Sequence, residues 1–380
     1  MAGMENNVLL LGNKESVFVS NFALEIEKQG FTAHIFDPGR FGIYNSGGTL
    51  IRNFSTPPAI LDHIPKLGYR FKLVLIRRML RKLHGRYRIC HIHYNLKLYA
   101  DIAESVQKIA DKLVVSIWGS DFYRKSPSVR KAQEKIYDRA DLIALLTPQT
   151  MRAFNEYYSG RYKQKTTILR LGLKPLEYID DIADETPQTM KTQFGIDPEA
   201  TVIACGYNGT PAQNHEQMIE SFQKIHNKLP KNCRFLFPMT YGEDTHKHSI
   251  EEMLEKSGLA YKIISGFIAD PDIARLRKMT DIFINIQKTD HLSGSLLEHL
   301  YAGSIVISGR WLPYDILDEK GVFQLYVDSP VEVGEKLLEA VSNLESYKTK
   351  AMDNSSIVGD ISRWSVNIVK WAQAYKTLFE

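Results

Sequence analysis

Cysteine is scarce in this sequence. The three cysteines among 380 residues are Cys90, Cys205 and Cys233, and no two of them form a CxxC pair. Structural disulfides need paired cysteines, and thiolate metal sites need closely spaced ones. We therefore expect three reduced, buried thiols of a cytoplasmic protein.

Long hydrophobic runs are also missing. No stretch approaches the roughly 18–20 apolar residues that span a bilayer. The first stretch, MAGMENNVLLLGNK, has no basic segment of the kind that begins a signal peptide. The chain is 44% hydrophobic and 24% charged, which is typical of globular proteins. We expect a cytoplasmic protein, peripheral at most to the inner face of the plasma membrane.

Acidic residues are absent from positions 63–100, although the net charge of the whole chain is only +4. A helical wheel places cations on one arc and apolar residues such as Ile76 and Leu80 on the opposite arc. We predict that residues 66–88 dock on an anionic membrane surface; the alternative is a core-packed helix with a solvated face. No nucleic-acid motif accompanies the cations, so nucleic acid is not an expected partner. The basic residues of this stretch are Lys66, Arg70, Lys72, Arg77, Arg78, Arg81, Lys82, Arg86, Arg88 and Lys97.

Short apolar runs alternate with amphipathic helical patterns in two series. NVLLLG (7–12) begins the first series and TVIACGY (201–207) begins the second. Such alternation predicts parallel sheets covered on both faces. We therefore predict an α/β fold with two doubly wound, Rossmann-like domains facing across a cleft. The predicted domains are 1–172 and 200–362, with a polar linker at 173–199 and a Trp-rich helix at 363–380 that packs back on the first domain.

The stretch DHLSGSLLEHLYAGSIVI (290–307) carries the most chemistry. Ser293, Gly294 and Ser295 begin a helical pattern, and the free N–H groups of a first helical turn favour an anion. Glu298 follows one turn later, where its carboxylate can bind the hydroxyls of a ribose. Asp290 lies on the preceding loop, where it can bind the hydroxyls of a sugar, and we predict that it is one of the catalytic residues. The alternative is an ordinary N-cap with a glutamate that favours the helix dipole.

This stretch resembles the donor-binding motif of family 4 GT-B glycosyltransferases, in which two acidic residues are separated by seven others. The matching residues here are Asp290, Glu298 and Gly303, followed by the Val306-Ile307 strand. Further matches in family order are LLLG, CHIHYN, WGSD, ADLIALLT and LRLGL. The resemblance implies an acceptor-binding first domain, a second domain that binds a nucleotide-sugar, and no metal or other cofactor.

Three features depart from the family pattern. Asp290 stands where glutamate is usual. Ile305 stands where proline is usual, and GYNGTPAQNHEQMI (206–219) lacks the Arg and Lys that neutralise the donor diphosphate in retaining members. With FPMTYG (237–242) and IWGSDFY (117–123), this segment is more similar to the 4-acetamido-4,6-dideoxygalactose transferases of enterobacterial common antigen assembly. Those enzymes are inverting and use a dTDP-sugar with a lipid-linked acceptor.

Other groups must then offset the charge of the leaving diphosphate. Lys288 is the nearest cation, and Asn208, Gly209 and Thr210 follow a strand and precede a helix. We predict that they bind the donor, and that Gly12, after the first strand, allows a substrate to approach closely. The alternatives are an exposed lysine and ordinary turns. The only Asp-x-Asp, at 270–272, contains Pro271 and favours a helix start over a metal site.

An inverting transfer needs a base for the acceptor hydroxyl. Asp121 is the first candidate and His93 the second, because both follow predicted strands of the first domain. The alternative for Asp121 is a loop-capping role. We therefore expect a metal-independent glycosyltransferase of surface polysaccharide synthesis, such as O-antigen or capsule, with a UDP- or dTDP-sugar donor and a lipid-linked or glycan acceptor. The alternatives are a non-catalytic GT-B-like binding protein and an epimerase or phosphorylase of the same architecture.

Overall fold

The structure is a computed structural model that describes residues 6–54 and 65–380. The side chain of Lys66, at the start of the predicted basic face, lies outside the described residues. In chain order the strands are β1 (Asn7–Leu11), β2 (Thr32–Asp37), β3 (Gly42–Asn45), β4 (Leu50–Asn53), β5 (Tyr87–His93), β6 (Ala110–Ile117), β7 (Leu142–Leu145), β8 (Thr166–Ile168), β9 (Thr201–Cys205), β10 (Cys233–Met239), β11 (Tyr261–Ser265), β12 (Ile282–Asn285), β13 (Ile305–Gly309) and β14 (Leu325–Val327).

The helices connect these strands in the doubly wound manner that the sequence predicts. They are α1 (Val17–Glu27), α2 (Pro65–Arg81), α3 (Lys97–Asp101), α4 (Ala103–Gln107), α5 (Ser120–Tyr123), α6 (Pro127–Tyr137), α7 (Pro148–Tyr157), α8 (Lys174–Asp181), α9 (Pro187–Gln193), α10 (His215–Ile225), α11 (Asp244–Glu255), α12 (Asp270–Met279), α13 (Gly294–Tyr301), α14 (Asp315–Glu319), α15 (Val333–Ser342), α16 (Leu344–Met352), α17 (Asn354–Ser362) and α18 (Trp364–Thr377).

The first unit comprises residues 1–172 and 364–380. Its eight-stranded sheet has the order β4-β3-β2-β1-β5-β6-β7-β8. β1, β2 and β5 to β8 pair in parallel, whereas β3 and β4 extend the β2 edge in antiparallel pairs. Helix α18 belongs to this unit, where Trp371 and Tyr375 are fully buried against Phe22. The predicted α/β class is confirmed.

The second unit comprises residues 173–363. Its six strands are all parallel, in the order β11-β10-β9-β12-β13-β14. The segment 173–199, which the sequence predicts to be a linker, instead forms helices α8 and α9 of this unit. Leu176, Ile179 and Met190 are buried, so a few apolar side chains at helical spacing fix the segment despite its polar composition.

Helix α2 exposes most of the predicted cationic arc. Arg70, Arg77, Arg78, Arg81 and the following Lys82 are exposed, and the apolar arc is buried, as at Ile76 and Leu80. The solvent face also carries apolar side chains, which the sequence pattern did not single out. These are Leu67, Phe71 and Val74, with exposed fractions of 53%, 39% and 57%. Among the described residues no helix has an 18-residue stretch apolar enough to cross a membrane.

Candidate functional site

The sheet of the second unit changes its direction of growth between β9 and β12, which are neighbours in space but not in sequence. Ligands of open parallel sheets bind beyond the carboxyl ends of the strands at such a point. The loops that follow these strands contact each other here: the backbone N–H of Lys288 donates to the carbonyl of Ala212 at 2.8 Å. The Gly209 N–H donates to the Tyr241 carbonyl at 2.7 Å, which adds the loop after β10.

A buried polar network lies under these loops. Gln287 Oε1 accepts from the Tyr207 hydroxyl at 3.3 Å and from Gln213 Nε2 at 3.2 Å. Gln287 Nε2 donates to Asn285 Oδ1 at 3.1 Å, and Asn285 Nδ2 donates to the Tyr314 hydroxyl at 2.5 Å. Each of these side chains is hydrogen-bonded to at least one other, so the network holds the loops after β9 and β12 in place without a ligand.

Asp290 is more enclosed than the sequence suggests. It is 7% exposed, and its Oδ2 accepts from the Ser293 N–H at 3.1 Å and from the Tyr314 hydroxyl. Burial and the Asp290 carboxylate raise the pKa of Tyr314 well above its usual range. Asp290 therefore shapes the turn before α13, and its Oδ1 is the oxygen without a hydrogen bond from the described residues.

The first turn of α13 has the predicted cap. Ser293 is the N-cap, and its Oγ accepts from the Leu296 N–H at 3.4 Å. Gly294 is the first helical residue, and a Cβ there would lie 3.2 Å from Leu173 Cδ2 and 3.4 Å from Glu298 Oε1. Ser295 Oγ is buried and has no hydrogen-bond partner. A side chain at position 294 would therefore press on Leu173 and Glu298, so the close approach of these residues suits glycine, and Ser295 contributes an unused hydroxyl.

Glu298 is held by a residue that the sequence analysis missed. Its Oε2 accepts from Arg277 Nε at 3.0 Å, and both side chains are almost fully buried, at 10% and 8% exposure. Arg277 Nη1 also contacts His299 Nε2 at 3.3 Å. The pair leaves Glu298 Oε1 near Gly294, at the start of the helix. Arg277 comes from α12, so no local motif could connect it to Glu298.

The other residues that we predict to bind the donor lie in the same loops, but they differ in whether their side chains are free to contact a ligand. Asn208 Oδ1 accepts from the Thr210 N–H at 3.0 Å and from its hydroxyl at 2.6 Å, and Asn208 Nδ2 donates to the Tyr241 hydroxyl at 3.1 Å. These side chains therefore hold their own turn. Lys288 is exposed, and its ammonium has no partner among the described residues.

Asp121 lies after β6 in the first unit and is fully buried. Its Oδ2 accepts from the Asn95 N–H at 2.8 Å, and its Oδ1 accepts from the Trp118 N–H at 2.9 Å. Burial raises its pKa to about 6, against the lowering effect of these backbone hydrogen bonds. This geometry does not support the prediction that Asp121 is the base, because both oxygens already bind the loops after β5 and β6.

His93 ends β5 and is also buried, but neither ring nitrogen has a hydrogen-bond partner. The neighbouring His91 uses both nitrogens, towards the Tyr375 and Ser116 hydroxyls. Burial lowers the pKa of His93 to about 3, so its imidazole is neutral at physiological pH. A Cβ at Gly12 would lie 3.0 Å from Val19 Cγ2 and 3.5 Å from His93 Cβ, so the backbone at Gly12 packs closely against both side chains.

Comparison with solved structures identifies the architecture. Sucrose-phosphate synthase from Thermosynechococcus elongatus superposes with a TM-score of 0.74 at 12% identity, covering 98% of this chain and 99% of that one. The Anabaena protein HepE in complex with UDP-glucose gives a TM-score of 0.73 at 14% identity, over 98% and 99%. The fold is GT-B.

Sequence comparisons cover part of this GT-B chain. Residues 7–147 match the family model described as Glycosyl transferase 4-like. Mannosylfructose-phosphate synthase of Agrobacterium fabrum is 22% identical over 178 residues, which are 44% of this chain and 37% of that protein. The match thus spans little more than a third of this curated relative.

Because the GT-B chain buries neutral histidines, we expect its free energy of unfolding to fall in acid. A histidine whose folded pKa is below its unfolded value binds fewer protons when folded, so its stabilising contribution is lost as the pH falls below 6.5. For His93, with a folded pKa of about 3, this loss is about 2 kcal/mol between pH 7 and 5. Asp121, with a raised pKa of about 6, instead adds to the free energy of unfolding as the pH falls.

We expect His93→Phe to reduce the loss of stability between pH 7 and 5 by about 2 kcal/mol, measured by urea unfolding. An unchanged loss would contradict the neutral, buried imidazole.

Proposed function

We propose that the chain is a glycosyltransferase that transfers a sugar from a UDP- or dTDP-linked donor to a lipid-linked or growing cell-surface glycan. The observation that carries this proposal is the start of α13. Its first turn begins at a glycine, and the carboxylate of Glu298, anchored by Arg277, lies beside that glycine. The GT-B fold supports the proposal, and the HepE structure is a complex with UDP-glucose.

Glu298 binds the ribose of the donor in this proposal. Arg277 holds Oε2, so Oε1 can accept from a ribose hydroxyl without reorganisation. A UDP donor offers two vicinal hydroxyls, whereas the deoxyribose of dTDP offers one. The donor diphosphate then lies at the N–H groups of Gly294 and Ser295, which favour negative charge; the Ser293 N–H already donates to Asp290. Asp290 Oδ1 accepts from a hydroxyl of the transferred sugar.

The leaving diphosphate gains charge as the bond from the anomeric carbon to its oxygen breaks. Lys288 supplies a mobile cation, and the first-turn amides of α13 supply fixed dipoles. The loop after β9 carries Tyr207, Asn208 and Gln213 instead of a cationic pair. We therefore assign the charge stabilisation to α13 and Lys288, without a metal ion.

The first unit binds the acceptor in this proposal, and His93 accepts the proton of the attacking hydroxyl. Its unpartnered nitrogens favour it over Asp121, whose carboxylate oxygens both accept backbone hydrogen bonds. With a pKa of about 3 the free imidazole is a weak base, so proton transfer comes late, when the new carbon–oxygen bond has made the hydroxyl acidic. The outcome is inversion at the anomeric carbon. The sugar proposed is a 4-acetamido-4,6-dideoxyhexose, on the resemblance of residues 206–219 and 117–123.

The alternative is a non-catalytic GT-B-like binding protein, which would explain the missing Arg and Lys pair. Nucleotide binding and donor consumption distinguish the two proposals. UDP and dTDP are compared by thermal shift, where a ligand at about 100 times its Kd stabilises by ~2.7 kcal/mol. Donor consumption is then measured with and without a lipid-linked acceptor. A nucleotide shift without turnover would favour the binding protein, and the absence of any shift would contradict both.

Transfer is expected to persist in excess EDTA. Amides, Lys288 and Glu298 provide the donor contacts in this proposal, and among the described residues no group of three His, Cys, Asp or Glu side chains is placed to hold a metal ion. The assay compares rates in EDTA with rates after addition of Mg²⁺ or Mn²⁺. Activity lost in EDTA and restored by either ion would contradict the assignment of charge stabilisation to α13 and Lys288.

A peripheral position at the inner face of the plasma membrane accords with a lipid-linked acceptor. The exposed cations and apolar side chains of α2 provide the docking face in this proposal. Anionic headgroups attract such cations at ~1 kcal/mol each, and the exposed apolar side chains can enter the headgroup region.

A further inference from the structure

A pocket of about 650 Å³ opens in the first unit between the end of α2, residues 100–108 and the end of α6. Arg81, Lys108 and Arg139 line it shortly before β5, β6 and β7 begin. Because these strands are parallel, the pocket lies at their amino ends. His93 and Asp121 follow the carboxyl ends of the same strands, so the pocket is separate from the proposed catalytic residues.

The pocket has an excess of positive charge. Arg77, Arg81, Lys108, Lys135 and Arg139 line it, together with the carboxylates of Asp101 and Glu104. Asp101 Oδ2 is already engaged by the Tyr69 hydroxyl at 2.6 Å and by Lys97 Nζ at 3.1 Å. The acidic side chains therefore leave most of the cationic charge uncompensated.

The cations are also poorly paired. Among the described residues, Arg81, Lys108 and Lys135 have no ion pair with a carboxylate. The Arg139 Nη1 donates to the Lys135 carbonyl at 2.8 Å, but its Nε is buried without a partner. Clustered like charges repel each other, and an anion between them relieves that repulsion.

We propose that this pocket binds an anion with two or more phosphate groups. The cations come from separate segments around a volume within the range of small-molecule sites, so they can contact more than one phosphate. Arginine suits this role because its planar guanidinium binds phosphate oxygens in pairs. Two sources share this chemistry: a soluble phosphorylated molecule and clustered phospholipid headgroups.

The test uses pyrophosphate as the probe and the full chain. Hydrogen–deuterium exchange should show protection in residues 77–84, 100–108 and 135–139. The variant Lys108→Gln/Lys135→Gln, which alters two exposed side chains outside α2, should weaken binding by about tenfold or more in calorimetry. The control Lys131→Gln/Lys163→Gln makes the same change of net charge elsewhere on the first unit and should bind like the wild type.

The donor site is the main competing site for pyrophosphate, and exchange separates the two. Protection confined to residues 206–214 and 288–298 would overturn the proposal. The proposal would also be overturned if Lys108→Gln/Lys135→Gln bound pyrophosphate as tightly as the wild type. Arg139→Gln is a second variant, and it must also weaken pyrophosphate binding. Vesicles containing phosphatidylglycerol then distinguish the sources. If Lys108→Gln/Lys135→Gln loses both vesicle binding and pyrophosphate binding, the natural ligand is a cluster of lipid headgroups. If it loses pyrophosphate binding alone, the natural ligand is a soluble phosphorylated molecule.

Discussion

Glu298→Ala is expected to destabilise the protein by about 3–5 kcal/mol and to weaken UDP or dTDP binding by about 10- to 100-fold. The stability loss follows because Arg277 would remain buried without its carboxylate, and an uncompensated buried charge costs this much. The affinity loss follows from a missing hydrogen bond between the ribose and a charged group, worth ~1.5–3 kcal/mol. Urea unfolding and calorimetry measure the two effects separately.

The control for this prediction is the double variant Glu298→Ala/Arg277→Met. It removes both charges, so most of the stability should return, because an apolar replacement of a buried pair is often neutral. Donor binding should stay weak, since the ribose contact is still missing. A double variant that binds UDP and dTDP as tightly as the wild type would contradict the ribose assignment while leaving the structural role of the pair intact.

Arg70→Gln/Arg78→Gln/Lys82→Gln is expected to lower the affinity for anionic vesicles by about two decades. At ~1 kcal/mol per cation near the surface, the loss is ~3 kcal/mol, and each 1.4 kcal/mol is a factor of ten. All three side chains are exposed, so the fold should survive. None of the three lines the anion pocket, so pyrophosphate binding should not change.

Sedimentation with vesicles of increasing phosphatidylglycerol content measures this effect. The control Lys224→Gln/Lys231→Gln/Lys256→Gln makes the same charge change on exposed lysines of the second unit and should leave sedimentation unchanged. Phe71→Ser/Val74→Ser should reduce the binding that persists at high salt, where charges are screened within about 3 Å. Equal sedimentation of the triple α2 variant and the wild type would show that this face is only a solvated surface.

The sequence predicts those parts of the fold in which each strand is marked by an apolar run within its own residues. Val8, Leu9 and Leu10 are all fully buried, and such an unbroken apolar run identifies an inner parallel strand. The helix start at Gly294 could be predicted because its cap is a local feature. The antiparallel strands β3 and β4 have only four residues each, and β4 is mostly exposed, so neither carries the longer apolar run that identifies an inner strand.

The sequence did not predict contacts that join distant segments. The pairing of Arg277 with Glu298 depends on how α12 packs beside α13, and the Asp290–Tyr314 contact depends on the order of β12 and β13. The position of Asp121 after a strand predicts a base, but the sequence does not show that both of its carboxylate oxygens accept backbone hydrogen bonds. The polar composition of residues 173–199 predicts a linker, because the polar residues of helices α8 and α9 outnumber the few that are buried.

The placement of α18 sets the order in which the units can form during synthesis. Trp364, Trp371 and Tyr375 complete the core of the first unit, yet they follow the whole second unit in sequence. The part of the first unit's core that these residues complete therefore cannot form until residue 375 has been synthesised. The second unit is contiguous, and the Leu173 N–H near its start donates to the Ser362 carbonyl near its end at 2.8 Å. The second unit thus closes at Ser362 and the first closes only later, at Tyr375, whereas domains usually form in chain order from the N-terminus.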